Sequence, residues 1–278
     1  MPTKGLMERI RDGETVIVAE GYVFAFERLG YLKAGPFTPE VVVDHPDLVK
    51  QMYRDFVRAG SDVVQAFTYY GNRSKFKLVG REDDLEKQNR LALRMARVPA
   101  VITMGSHYMI HKDGKVYTPD HVELNEGLRQ LVAGGADVVG FNCTRGPDQI
   151  MQYVESAVQS NIGAPLAVLP VPYRTTDKHP SFLSIPDPKT GKQAFPADLD
   201  CLLCSRTDIV KFARDCVRLK IPYVGLCCGN APHFTRTLAE ALGRTTGASK
   251  FSPDMSLHGI FGTDTGKLNP YYFDEKNN

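Results

Sequence analysis

No stretch of the 278 residues stays apolar long enough to cross a bilayer. The longest such runs, residues 98–104 and 164–171, fall far short of the roughly 20 residues that a spanning helix needs. An excess of either charge is also missing: 34 Lys+Arg face 32 Asp+Glu, a formal net charge of +2, and no basic run exceeds a few positions. That argues against a polyanion-binding surface, so nucleic acid is not expected as a partner. Residues 1–13 carry charges but no apolar core of the kind that marks a secretory signal. Six cysteines without such a signal point to reduced thiols in the cytoplasm rather than a disulfide framework. Phosphate-cradling and nucleophile-elbow motifs are absent too. No G-x-G-x-x-G follows a strand, and there is no Walker loop and no G-x-S-x-G, so nucleotide and serine-hydrolase readings have no support.

What is present is the composition of a globular chain, with 42% hydrophobic and 24% charged residues, enough for a sizeable core. Short apolar runs predict strands at 15–19, 63–67, 101–104, 138–142, 166–169 and 223–226. Most are continuous rather than alternating, as in strands buried on both faces. Amphipathic helices are predicted between them. One follows His45-Pro46, places Leu48, Met52, Phe56 and Val57 on one side, and ends at Ala59-Gly60. Others cover 84–97 and 122–133, the latter stopped by Gly134-Gly135. Further helices begin near Asp148 and at Thr207-Asp208, with Thr207 as N-cap, and one more spans 235–242. Strand–helix alternation with short loops implies right-handed βαβ units, a parallel sheet and an α/β fold. We read residues 1–278 as one domain. Within it, 172–198, with five prolines, forms a long ordered loop, and a tail from about 248 lies over the surface.

Three cysteines fall at the C-terminal ends of predicted strands, Cys143 after one and Cys227-Cys228 after another. In parallel α/β folds these ends are where active-site groups gather. Adjacent strand residues point to opposite faces, so a Cys-Cys pair shares a ligand only where the strand ends, and Gly229 permits such a turn. Two readings stand on spacing alone. Three thiolates can hold Zn²⁺ and leave a fourth position open, as in a catalytic site, or the three are small buried hydrophobes. Cys201 and Cys204 form a C-x-x-C without a second pair, and two core positions on a helix face are the favoured reading over half a metal site or a redox motif. Cys216 reads as core in mid-helix. His107 and His111, four apart, have the spacing of a helical chelate, but the turn-like Lys112-Asp113-Gly114-Lys115 favours solvated loop histidines.

The motifs resemble a family. Gly140-Phe-Asn-Cys143 and Gly225-Leu-Cys227-Cys228-Gly229 are similar to the two zinc motifs of the homocysteine S-methyltransferases. The run from Tyr22 to Glu40, His45-Pro46, Ala59-Gly-Ser61, Gln65-Ala-Phe-Thr-Tyr-Tyr70, Arg206 to Arg214 and Tyr223 resemble the betaine–homocysteine branch. The resemblance runs from about Gly5 to about Gly259 and implies a TIM-type (β/α)8 barrel, with Zn²⁺ at its C-terminal mouth held by Cys143, Cys227 and Cys228. It implies a zinc-dependent enzyme that transfers a methyl group from betaine to homocysteine, with Glu20, Gln65 and Tyr70 as catalytic residues and Gly21 and Phe37 binding substrate. Phe37 stands where the branch has Trp, a weaker cation–π partner for a trimethylammonium group.

Departures from the family pattern qualify those expectations. The early Asp-Gly-Gly is Ala19-Glu20-Gly21 here, a Gln-Pro pair is Leu169-Pro170, and Ala66 replaces a Thr. The family's third and fourth βα units, with the Glu-Tyr motif that anchors the homocysteine amino group, are missing, as is most of its C-terminal arm. The expected architecture is therefore an incomplete barrel of about six parallel strands. Two alternatives follow: S-methylmethionine as methyl donor, or a catalytically silent zinc-binding barrel remnant. Small-molecule substrates and a homo-oligomer are the expected partners, with no membrane involved.

Overall fold

The structure, a computed structural model, describes residues 4–258 except 36, 72, 97–100, 107–108 and 120. Six parallel strands form one sheet: β1 (Val16–Ala19), β2 (Val63–Val64), β3 (Ile102–Gly105), β4 (Val139–Asn142), β5 (Leu166–Leu169) and β6 (Tyr223–Leu226). Their order is β2-β1-β6-β5-β4-β3. The first strand of the chain thus pairs with the last, Val16 opposite Tyr223 and Ala19 opposite Leu226, which is the cyclic order of a barrel. The cycle stays open between β2 and β3, the two ends of the sheet among the described residues. Both features meet the expectation of an incomplete barrel with about six strands, and the opening falls where two βα units were read as missing.

The helices are α1 (Leu6–Arg11), α2 (Val23–Arg28), α3 (Val41–Asp44), α4 (Pro46–Ala59), α5 (Arg73–Lys77), α6 (Leu85–Ala96), α7 (Leu124–Ala133), α8 (Pro147–Gln159), α9 (Arg206–Arg218) and α10 (Pro232–Ala241). Those predicted from periodicity recur with small shifts at their ends. α4 starts on Pro46, closes on Gly60 at φ 115°, and buries Val49, Tyr53, Phe56 and Ala59 along one face, which corrects the expected apolar side: Leu48 and Met52 are only partly buried and Val57 is exposed. α9 corrects one expectation: Ser205, not Thr207, is its N-cap. The Asp208 N–H donates to Ser205 Oγ at 3.2 Å and the Ser205 N–H donates back to Asp208 Oδ2 at 2.7 Å, a capping box that leaves Thr207 inside the first turn. α1, α2, α3 and α5 are too short to leave a periodic signal. So is an antiparallel hairpin of 110–112 and 115–117, whose predicted turn has Asp113 and Gly114 at positive φ, the requirement of a tight hairpin.

Every residue of β1, β5 and β6 is buried, which explains their unbroken apolar sequences. Successive side chains go to opposite faces. Ile17, Val139, Phe141, Val168, Val224 and Leu226 pack outward on α7 to α10. Val16, Val18, Ala167, Leu169 and Tyr223 pack inward, with Leu6, Met7 and Ile10 of α1 against them. The proline-rich segment is ordered as expected, held by Arg174 N–H to Leu202 O, Phe182 N–H to Thr144 O and Ala194 N–H to Ile185 O. The tail beyond 248 lies largely exposed as far as 258, and residues 259–278 lie outside the described residues.

Candidate metal and substrate site

The three strand-end cysteines are presented by two unlike turns. After β4 the chain turns through Cys143 at φ 61° and Thr144 at φ 69°, two successive non-glycine residues in the left-handed region. Each such residue costs about 1–3 kcal/mol and persists only where its surroundings fix it. Here the Cys143 N–H donates to Leu169 O at 2.9 Å, Arg145 N–H to Cys143 O at 2.8 Å and Phe182 N–H to Thr144 O at 2.9 Å. After β6 the Cys227 N–H donates to Pro170 O at 2.7 Å, and Gly229 turns the chain at φ 93°. A Cβ on Gly229 would lie 2.6 Å from the Tyr173 hydroxyl oxygen. Only glycine lets the chain leave the strand this sharply, and that exit lets Cys227 and Cys228 turn their sulfurs to a common point.

The three sulfurs lie within 4.8 Å of one another, with Cys143 Sγ 3.7 Å and Cys227 Sγ 3.8 Å from Cys228 Sγ. A disulfide needs about 2.05 Å. Tetrahedral Zn²⁺ with Zn–S bonds of about 2.3 Å separates its sulfurs by about 3.8 Å, so the donor set and its spacing fit that ion. Hydrogen bonding to Cys143 and burial hold the Cys227 and Cys228 thiols well above their ordinary range. Three thiols this close together ionise together only beside a cation. Among the described residues this is the one group of three or more His, Cys, Asp or Glu side chains spaced for a metal.

The sulfurs open onto a cavity of about 210 Å³ lined by side chains from four strand ends. Glu20, next after β1, is buried in its wall, and burial pushes its carboxyl up to about 7 while hydrogen bonds with Asn142 and Cys227 pull the other way. Asn142 Nδ2 donates to Glu20 Oε1 at 3.3 Å. Gly21 and Gln65 line the same cavity. Gly21 sits at φ 82°, where a Cβ would meet the Cys227 carbonyl oxygen at 2.1 Å, so this position admits only glycine.

Two predicted residues lie outside that lining. Tyr70, at φ 53°, is half-buried and stacks on Tyr69, with ring centroids 4.2 Å apart, and it is Tyr69 that faces the cavity. Phe37 is buried among Phe24 and Phe195, with centroids 5.9 and 6.4 Å away. Sequence reasoning missed Asn142 and Tyr69, each the immediate neighbour of a residue it chose. It also missed Tyr22 and Phe67, whose aromatic character reads equally well as core.

The remaining candidates separate cleanly. Cys216 is fully buried in α9 as expected. Cys204 is buried, but Cys201 is exposed at a 3-10 turn, which corrects its core assignment. His111 is exposed on the hairpin, 3.2 Å from the Tyr153 hydroxyl, and His107 lies outside the described residues. No helix among the described residues is long and apolar enough to cross a membrane.

Comparison with known proteins agrees with this geometry. The homocysteine S-methyltransferase family matches residues 25–104 and 99–242, two stretches that overlap at 99–104. Betaine–homocysteine S-methyltransferase 1 of Xenopus tropicalis is 30% identical over 332 aligned positions, covering 94% of this chain and 80% of that protein. That alignment is longer than the 278 residues available, so it steps over positions this chain lacks. An S-methylmethionine–homocysteine S-methyltransferase of Pongo abelii is 28% identical, covering 94% of this chain and 86% of that one. Among solved structures, the metallated homocysteine methyltransferase MmuM from Escherichia coli shares the fold with a TM-score of 0.55 at 12% identity, covering 85% of this chain and 99% of that one. On these matches the chain belongs to the homocysteine S-methyltransferase family and is a methyltransferase.

Proposed function

We propose that this enzyme moves a methyl group from betaine to the thiol of homocysteine, with Zn²⁺ held by Cys143, Cys227 and Cys228. The observation that carries the proposal is the convergence of three thiol sulfurs, 3.7 and 3.8 Å apart, at the floor of a strand-end cavity. Bound there, zinc would supply Lewis acidity that keeps an incoming thiol deprotonated at neutral pH. The homocysteine sulfur forms the new S–CH₃ bond, the donor C–N bond breaks with its electron pair returning to nitrogen, and the thiol proton passes to solvent. The products are methionine and dimethylglycine.

The protein's own groups orient the reactants. Glu20 receives the amino group of homocysteine, with Asn142 fixing the carboxylate. Gln65 borders the donor side, and Gly21 lets the Cys227 turn approach the end of β1. Tyr69 presents the aromatic face that lines the cavity, with Tyr70 stacked against it, while Phe37 packs with Phe24 and Phe195 outside the lining. Aromatic faces of this kind attract a methylated cation. Reduced thiols suit a cytoplasmic enzyme.

S-methylmethionine is the second donor reading. It draws support from the burial of Phe37 among other rings and from the similarity to a relative named for that donor. The test is zinc analysis of the purified chain combined with methyl-transfer assays using each donor separately. Stoichiometric zinc and turnover with betaine support the proposal. Turnover with S-methylmethionine alone selects the second reading, and stoichiometric zinc without turnover selects a silent zinc-binding barrel. Absence of stoichiometric zinc overturns the mechanism.

A further inference from the structure

Cys143 holds its thiol on a backbone that side chains ordinarily avoid, and part of what fixes it comes from β3, the strand at the open end of the sheet. Ser106 follows β3 directly and is completely buried. Its hydroxyl donates to the Cys143 carbonyl oxygen at 2.6 Å, and its N–H donates to the Asn142 carbonyl oxygen at 3.1 Å. The residue that follows the edge strand therefore grips the peptide units on both sides of Cys143. The other two cysteines are placed differently. They follow β6, which lies between β1 and β5 inside the sheet.

The openness of the barrel gives this grip its consequence. β4, which leads into Cys143, has only β3 beyond it, and among the described residues β3 has no strand on its outer side. An edge strand lacks the second ladder of hydrogen bonds that would hold its end in register. The hydroxyl of Ser106 adds a bond that the ladder itself cannot provide, at a carbonyl that also accepts from the Arg145 N–H and whose residue sits in the left-handed region at φ 61°.

We infer that Ser106 is a positioning residue for the metal centre: by holding the Cys143 carbonyl it keeps the Cys143 sulfur in reach of Cys227 and Cys228. This rests on the proposed metal role of the three cysteines. Groups that orient a metal ligand without touching the metal are worth about 10–100-fold in metal affinity.

The experiment compares the full chain with Ser106→Ala and Ser106→Thr. Three quantities are read: zinc affinity by competition with a chromogenic chelator, the alkylation rate of each cysteine in the metal-free protein, and the metal-free melting temperature. Ser106→Ala should lower zinc affinity about 10–100-fold. It should also speed alkylation of Cys143 but not of Cys227 or Cys228, with little change in melting. Ser106→Thr keeps the hydroxyl and should stay near the parent in both affinity and alkylation. Parental affinity and alkylation in Ser106→Ala would overturn the inference. So would equal losses in both variants, or an affinity loss matched by a collapse in melting temperature. If the parent binds no zinc, the proposed function fails, yet the alkylation comparison still decides the role of Ser106.

Discussion

The two flanks of the cavity are held by different means. On the cysteine flank, β1, β6, β5 and β4 lie side by side, and the turns after β4 and β6 are fixed mainly by main-chain bonds to Leu169 and Pro170. On the opposite flank β2 is only two residues long, and the chain beyond it is held by side chains. Tyr22 Oη accepts from the Gln65 N–H at 3.1 Å and Tyr53 Oη from the Phe67 N–H at 3.0 Å. From α6, Gln88 Nε2 donates to Phe67 O at 2.9 Å and Asn89 Nδ2 to Gly71 O at 3.1 Å. Where strands are paired, the backbone places the chemistry, and where the sheet ends, side chains substitute for a missing neighbour. The Cys227–Cys228 turn occupies the first kind of support and the aromatic mouth the second, while Cys143 draws on both, through Leu169 O and the Ser106 hydroxyl.

Substitutions can break that contrast. The largest effect is expected from Cys228→Ser, which removes one proposed ligand. Metal content should fall below stoichiometry and methyl transfer should drop on the order of a hundredfold or more. Unchanged zinc and unchanged turnover would sink the ligand assignment. Gly229→Ala comes next, because it forces a Cβ onto the Tyr173 hydroxyl at φ 93°. A loss of about 2 kcal/mol or more in urea unfolding is expected, with zinc lost alongside it, since backbone damage on this flank reaches the cysteines.

Gln88→Ala probes the other flank. Gln88 is completely buried, and its removal leaves the Phe67 carbonyl without that partner, for about 1–3 kcal/mol. Zinc content should not change, while the KM for the methyl donor rises. Loss of zinc in this variant would erase the distinction between the flanks. The smallest effect needs no mutation. In the native protein an alkylating reagent should modify exposed Cys201 while sparing Cys204, whose thiol burial pushes up to about 12, and fully buried Cys216. Equal labelling of all three, followed by peptide mass spectrometry, would contradict this packing.

The legible parts of the sequence were those where one physical requirement dominates. β5 and β6 read at their full lengths because strands buried on both faces leave unbroken apolar runs. α4 read from Pro46 to Gly60 because both of its ends are marked by residues with restricted or unusual backbone freedom. Strand-end position singled out the three cysteines, and the resemblance of their motifs to a family chose metal ligands over buried hydrophobes. Tyr69 against Tyr70 was not, since which of two adjacent rings faces a cavity depends on a positive φ at Tyr70 that no pattern of residue types encodes. Ser106 was invisible for a related reason: its partner is a carbonyl oxygen 37 positions away.

The opening in the sheet lies at an internal stretch of the sequence, between residues 64 and 102, while the strands nearest the two ends of the chain are zipped together as β1 and β6. Its two lips are therefore joined covalently by the segment carrying α5 and α6. That makes the seam a natural acceptor for grafted strand–helix units. A lengthened loop between β2 and β3 would add strands at the opening without displacing either cysteine turn, so the barrel could be rebuilt around its own metal centre.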